Sequence, residues 1–306
     1  MTTPEAGRGA FASLAHAAEP PRLAASLSAV ALGGALAVGE PGPARWPVWG
    51  AVALAAFFLQ AGGRLLIEAA EARRAHAHAW QSGRSRSALS PGRLAAAAAL
   101  CFAATLLLGF LALIERGWPL FWFGLGGVVG AVLYSQGPAL RDRALGPPLS
   151  FVLLGPLPVV AGYLAVTGAW SPLALRVSVP LGLLAAATIL AREIRDIVDD
   201  ARAGATTMAG LLRRPAADFL LLLLFALAYL WLIALVARGL LAPACLLPLL
   251  TLPGAIRLFA AVRAAPEDGA SGETRLAEKA ANLYIRFAVL YAASVAVSEL
   301  IWKRAV

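Results

Sequence analysis

The sequence predicts an all-α polytopic membrane protein, a bundle of nine transmembrane helices around a central cavity open to the cytoplasmic face. Three observations lead there. Of 306 residues, 60% are hydrophobic and only 14% are charged, whereas a soluble domain is about 45–50% apolar and about 25% charged. Mean hydropathy is +0.76. The apolar residues also fall into runs of about 20, the length that crosses a bilayer core as a helix.

Residues 1–21 read as a short tail ending at Pro20-Pro21, without the charged-then-apolar pattern of a cleaved signal. Residues 22–306 read as a single membrane-embedded domain. Spans are expected at 22–38, 46–67, 94–114, 118–135, 149–168, 173–191, 216–237, 240–262 and 281–301, the first and fourth of them short. Pro and Gly mark the breaks, at Pro41-Gly42-Pro43, Pro91-Gly92, Gly117, Gly146-Pro147-Pro148, Gly168, Gly204, Gly239 and Gly269.

Basic residues set the orientation. With the N-terminus in the cytoplasm, the outer side holds only Arg45, Arg116, Arg176, Arg238, Lys303 and Arg304. This is the positive-inside asymmetry. It places three polar segments, 68–93, 192–215 and 263–280, on the cytoplasmic face of the cell inner (plasma) membrane. The net charge of +9 is spread between apolar runs instead of clustered, so the expected partner is the lipid bilayer and not nucleic acid. Cys101 and Cys245 lie inside apolar runs and read as core residues.

The densest charge follows the sixth span, in Ala191-Arg192-Glu193-Ile194-Arg195-Asp196-Ile197-Val198-Asp199-Asp200-Ala201-Arg202. On a helix, Glu193, Asp196 and Asp200 are i, i+3 and i+7 and share a face. Carboxylates gathered this way repel unless a cation lies among them, and Mg²⁺ takes such oxygen ligands together with substrate phosphates. A solvated helix end neutralised by Arg192, Arg195 and Arg202 is the competing reading. Helix two ends in a similar way, with Glu68 and Glu71 after Arg64. Two acidic ends facing one cavity would suit a diphosphate held through bridging Mg²⁺. Those glutamates also suit plain i,i+3 and i,i+4 pairing with Arg64, Arg73 and Arg74. His76 and His78 look like an H-x-H metal pair, but two apart on a helix they point to different faces and have no third ligand in sight, which disfavours metal binding. Trp118–Phe123 reads as an interfacial aromatic belt, and Tyr284 and Arg286 as interfacial anchors or part of a substrate portal.

Three colinear motifs resemble the UbiA superfamily of intramembrane prenyltransferases, nearest to its 1,4-dihydroxy-2-naphthoate polyprenyltransferase branch in the menaquinone pathway. Arg195, Asp196, Asp200, Gly204, Thr207 and Met208 follow the second acidic motif. Leu154-Gly155-Pro156-Leu157 through Gly162-Tyr163 to Thr167-Gly168 is similar to that branch's F-G-P-L segment. Tyr134-Ser135 with Pro138, Leu140 and Arg141 resembles its Y-T-x-P-P-L loop. The first acidic motif departs: Ile67 stands for Asn, Glu68 and Glu71 for Asp, and Ala77 for the last Asp. In the second motif, Arg192 and Glu193 stand for two Asn and Ala205 for Lys.

The resemblance implies a Mg²⁺-dependent membrane prenyltransferase that moves a polyprenyl group from a prenyl diphosphate to an aromatic small-molecule acceptor of quinone-precursor type, such as dihydroxynaphthoate. It implies Asp196 and Asp200 as catalytic metal ligands, with Glu68 and Glu71 as partners and Glu193 supplying a carboxylate absent at Ala77. Arg141, Arg143, Arg195, Arg86 and Tyr134 would contact the diphosphate. A terpene cyclase and a non-catalytic isoprenoid-binding descendant on the same fold are the alternatives. A coupled transporter fits less well, because the charges lie at helix ends instead of near the midplane.

Overall fold

A computed structural model describes residues 20–40, 44–82, 90–135, 140, 143–202, 204–264 and 273–302. The helices are α1 (Pro20–Ala37), α2 (Trp46–Ser82), α3 (Pro91–Arg116), α4 (Trp118–Ser135), α5 (Gly146–Leu154), α6 (Pro156–Thr167), α7 (Pro172–Arg195), α8 (Ile197–Arg202), α9 (Met208–Ala237), α10 (Leu252–Ala264) and α11 (Glu273–Trp302), with a 3₁₀ segment at Pro243–Thr251 before α10. Among the described residues, seven segments are long and apolar enough to cross a membrane, and Ala25–Ala37 and Trp118–Tyr134 are shorter apolar helices. All nine predicted stretches are therefore helical, and the two short ones are those expected to be short.

Several boundaries differ from the sequence expectation, among them the starts of α9 at Met208 and α11 at Glu273, each within a segment read as a polar loop. Helix α2 continues to Ser82, well into the segment read as a loop. Hydropathy ends where the membrane does, but Ala, Glu and Arg keep a helix going in water. The span 240–262 starts as 3₁₀ helix over Pro243–Thr251, with Pro248 inside it. The span 149–168 is split into α5 and α6 at Gly155, where φ is −116° and ψ −99°.

That split has a local cause and a distant remedy. Pro158 has no N–H, so the carbonyl of Leu154 lacks the helical donor four residues on. The Tyr284 hydroxyl supplies one instead, donating to Leu154 O at 2.6 Å. Tyr284 is buried, at 3% exposure, and its interfacial or portal role gives way to this one. Tyr284→Phe leaves a buried carbonyl unpaired. It is expected to cost about 1–3 kcal/mol, read as a lower thermal unfolding midpoint in detergent; an unchanged midpoint refutes the assignment. The same break permits close approach to α7, since a Cβ on Gly155 would lie 2.5 Å from Gly182 Cα.

The bundle has two organising helices. α1 packs on α2, α6 and α11, and α7 packs on α5, α6, α9 and α11. α1 and α6 meet backbone to backbone at small residues: a Cβ on Gly162 would lie 2.5 Å from Val30 O. Small residues let membrane helices approach this closely, where dispersion and not the hydrophobic effect drives association. Leu107, Ile114, Leu250, Ile256 and Ile301 are exposed, as a lipid-facing surface requires.

The loops that lie far from the acidic helix ends are tied together by arginines. Arg116 Nε donates to Ala165 O at 3.0 Å, and Nη2 donates to Val166 O, placing a cation at the C-terminus of α6. Arg45 pairs with Glu115 beside it.

Candidate functional site

The site is built from the end of α7. Asp196 caps that helix with φ −93° and ψ 9°, and α8 begins at Ile197. The single helical face expected for Glu193, Asp196 and Asp200 is therefore interrupted at Asp196, although Asp200 N–H still donates to Asp196 O at 2.8 Å. The half-buried Asp196 carboxylate accepts from Arg195 Nε at 2.6 Å and Nη2 at 2.7 Å. Arg192 Nε lies 3.6 Å from its Oδ2. Two guanidinium groups thus lie against this carboxylate. Asp199 pairs with Arg202 at 3.1 Å on the surface, where such a pair contributes little.

Glu193 turns to other work. Its side chain is buried, and Oε2 accepts from Ala209 N–H at 3.2 Å at the start of α9. Its Oε1 lies against Gly146, the first residue of α5, where an added Cβ would be only 2.4 Å away. The carboxyl group thus caps the N-terminus of α9; α5 begins Gly146-Pro147-Pro148, whose prolines have no N–H to offer it. Thr207 caps α9 through Gly210 N–H at 3.3 Å. The loops entering α5 and α9 run side by side, joined by a parallel bridge between Arg143 and Thr206. Ala205 N–H donates to Asp200 O at 2.9 Å. Glu193, Arg143 and Thr206 thereby bring both loops to the acidic turn.

On α2, Glu68 accepts from Arg64 Nη2 at 2.5 Å, the bland i,i+4 pairing weighed from the sequence. Glu71 lies on the same helix, and its side chain is outside the described residues, as are Arg86 and Arg141. Tyr134 is half-buried in the last turn of α4. Among the described residues no three His, Cys, Asp or Glu side chains converge to hold a metal ion. Mg²⁺ commonly binds through one or two carboxylates, with phosphate oxygens and water completing its shell. Asp196 and Asp200 fit that mode if a diphosphate arrives with the ion.

An apolar cavity of about 720 Å³, counting the part open to its surroundings, lies among α1 to α6. Small residues such as Ala56, Gly109, Gly124 and Gly127 make room for it. Its polar lining side chains are Ser26, Gln60 and Thr105. Sequence reading passed over Gln60, although a lone amide inside span 46–67 is the available signal.

Residues 26–297 match the model of the UbiA prenyltransferase family. The chain belongs to the UbiA prenyltransferase family. The 1,4-dihydroxy-2-naphthoate octaprenyltransferase of Bacillus subtilis is 28% identical over 169 residues, 55% of this chain and 54% of that protein. The chain spans about half the length of the curated relatives it matches. Among solved structures, the apo form of a UbiA homolog from Aeropyrum pernix K1 superposes with a TM-score of 0.68 at 20% identity, over 90% of this chain and 97% of that one. A UbiA homolog from Archaeoglobus fulgidus bound to GPP and Mg²⁺ gives 0.61 at 16% identity, over 93% and 99%. These likenesses establish the fold of this UbiA member as a multi-pass, all-α membrane bundle.

Proposed function

We propose that the protein is a Mg²⁺-dependent prenyltransferase of the cytoplasmic face of the plasma membrane, N-terminus inside. It would transfer a polyprenyl group from a prenyl diphosphate to an aromatic quinone precursor such as dihydroxynaphthoate, in menaquinone biosynthesis. The observation that carries the reading is the half-buried Asp196, clasped by Arg195 and Arg192 at the end of a membrane-length helix. Charge of that density at a bilayer boundary is costly unless it is used. The naphthoate enzyme of Bacillus subtilis and the homolog bound to GPP and Mg²⁺ support the substrate class and the ion.

In this reading Asp196 and Asp200 hold the cation, with Glu68 and Glu71 on α2 as partners. An ion held there would supply positive charge to neutralise the departing diphosphate. Arg195 and Arg143, with Arg141 and Arg86, add charge-assisted contacts to phosphate oxygens, and Tyr134 donates to one of them. Glu193 keeps the loops in place and is not a ligand. The allylic carbon–oxygen bond breaks, diphosphate leaves with the electron pair, and the ring carbon forms the new carbon–carbon bond. In the naphthoate case the ring then loses its carboxylate as CO₂. The apolar cavity takes the tail and keeps water from the allylic cation.

The test uses purified full-length protein in nanodiscs with radiolabelled geranylgeranyl diphosphate, Mg²⁺ and 1,4-dihydroxy-2-naphthoate. A prenylated ring is expected, lost with EDTA and restored by excess Mg²⁺. A hydrocarbon or prenol formed without acceptor would move the reading to a cyclase. Donor binding without turnover would move it to a non-catalytic isoprenoid-binding protein.

A further inference from the structure

Of the polar groups lining the cavity among α1 to α6, Thr105 is satisfied inside the protein. Its hydroxyl bonds to Ala55 O at 3.2 Å and Cys101 O at 3.0 Å. The Gln60 amide and the Ser26 hydroxyl line the same cavity and have no hydrogen-bond partner among the described residues. Their placement is not random. Of the α2 residues that line the cavity, Val52, Ala55, Ala56, Leu59 and Gln60, Gln60 is nearest to the acidic end of that helix. It precedes Glu68 by eight residues, about 12 Å along a helix axis. α1 and α2 run in opposite directions, so Ser26, in the first half of α1, lies toward the same end. Both groups thus lie toward the end of the cavity nearer Glu68, and the rest of its lining on α1 and α2 is apolar.

We propose that Gln60, with Ser26, forms the subsite for the aromatic acceptor and hydrogen-bonds a ring oxygen. A prenyl chain offers nothing to these groups. Covering an unpaired amide with hydrocarbon costs about as much as a hydrogen bond left unmade. A flat aromatic body bearing a hydroxyl or carbonyl satisfies the amide while keeping the rest of the cavity dry, so the occupant of this end is a phenol-type ring and not the tail. The ring then sits between the acidic helix ends and the apolar depth, where the allylic carbon of a donor would meet it. The Gln60 amide offers both a donor and an acceptor, so it can bind either a ring hydroxyl or a ring carbonyl. The proposal rests on the prenyl-transfer reading for the identity of the ring, but not for the existence of a ring-binding subsite.

The test is the affinity of Gln60→Leu and Ser26→Ala for 1,4-dihydroxy-2-naphthoate, by anaerobic calorimetry in nanodiscs, beside their KM values for acceptor and for prenyl diphosphate. Gln60→Leu keeps the size and removes the hydrogen bond. It is expected to weaken acceptor binding about tenfold, with donor KM unchanged and the unfolding midpoint not lowered. Ser26→Ala should show a smaller loss of the same kind. Unchanged acceptor affinity in both variants, equal losses for donor and acceptor, or no binding of the naphthoate by the wild type would each overturn the subsite. Binding by the wild type that Gln60→Leu weakens, without any turnover, would sustain the subsite while sinking the prenyl-transfer reading. Turnover that both variants leave untouched would do the reverse.

Discussion

Asp196→Asn is expected to lower prenyl transfer by about 10²–10³-fold, since a metal ligand at a departing diphosphate contributes several kcal/mol of transition-state stabilisation. The substitution keeps the shape of the side chain and removes its charge. Arg195 then loses the carboxylate that it now grips through two hydrogen bonds of 2.6 and 2.7 Å. The loss should appear in turnover and in the Mg²⁺ concentration needed for half activity. It should be partly mimicked by Asp200→Asn and not by Asp199→Asn, because Asp199 is an exposed residue paired with Arg202. Activity within twofold of wild type would remove Asp196 from the site.

Glu193→Ala is expected to destabilise the protein by about 1–3 kcal/mol, the cost of leaving buried donors unpaired, and to raise KM for prenyl diphosphate. The carboxylate accepts from Ala209 N–H at 3.2 Å and rests against Gly146, so its loss frees the starts of two helices. Gly146→Ala provides an independent route to the same defect, because its Cβ would occupy the space of Oε1 at 2.4 Å. The double variant should fall short of the sum of the singles, as contacting residues do. Glu193→Gln retains an oxygen for Ala209 and should recover most of the stability. If Glu193 were a metal ligand instead, Glu193→Ala would weaken Mg²⁺ dependence and leave the unfolding midpoint unmoved.

The fate of Glu193 illustrates what periodicity can and cannot give. Spacing correctly marked it as one of several acids at the end of a membrane helix. It did not reveal that Asp196 would end the helix between Glu193 and Asp200, nor that the partner would be a backbone N–H 16 residues away. The Glu68–Arg64 pair, by contrast, is an i,i+4 contact, and such contacts are legible because a helix fixes them locally. Gln60 was visible as a polar residue in an apolar run. Its meaning required knowing that five other helices close a cavity around it.

The sequence by itself determined that the chain is a multi-pass helical membrane protein, because the bilayer forces every backbone donor and acceptor in each span to be satisfied within that span. Pro and Gly marked most of the breaks between spans, but not the one at Gly155, although Pro158 deprives Leu154 of a helical donor whatever surrounds it. Only the tertiary structure decided how those breaks are mended, with Tyr284 reaching Leu154 across 130 residues, and that Glu193 reaches the start of α9. Hydropathy and helical hydrogen bonds are properties of neighbouring residues. The choice of partner for a buried carboxylate, hydroxyl or amide depends on which helices pack together, and that packing brings residues distant in sequence to one place.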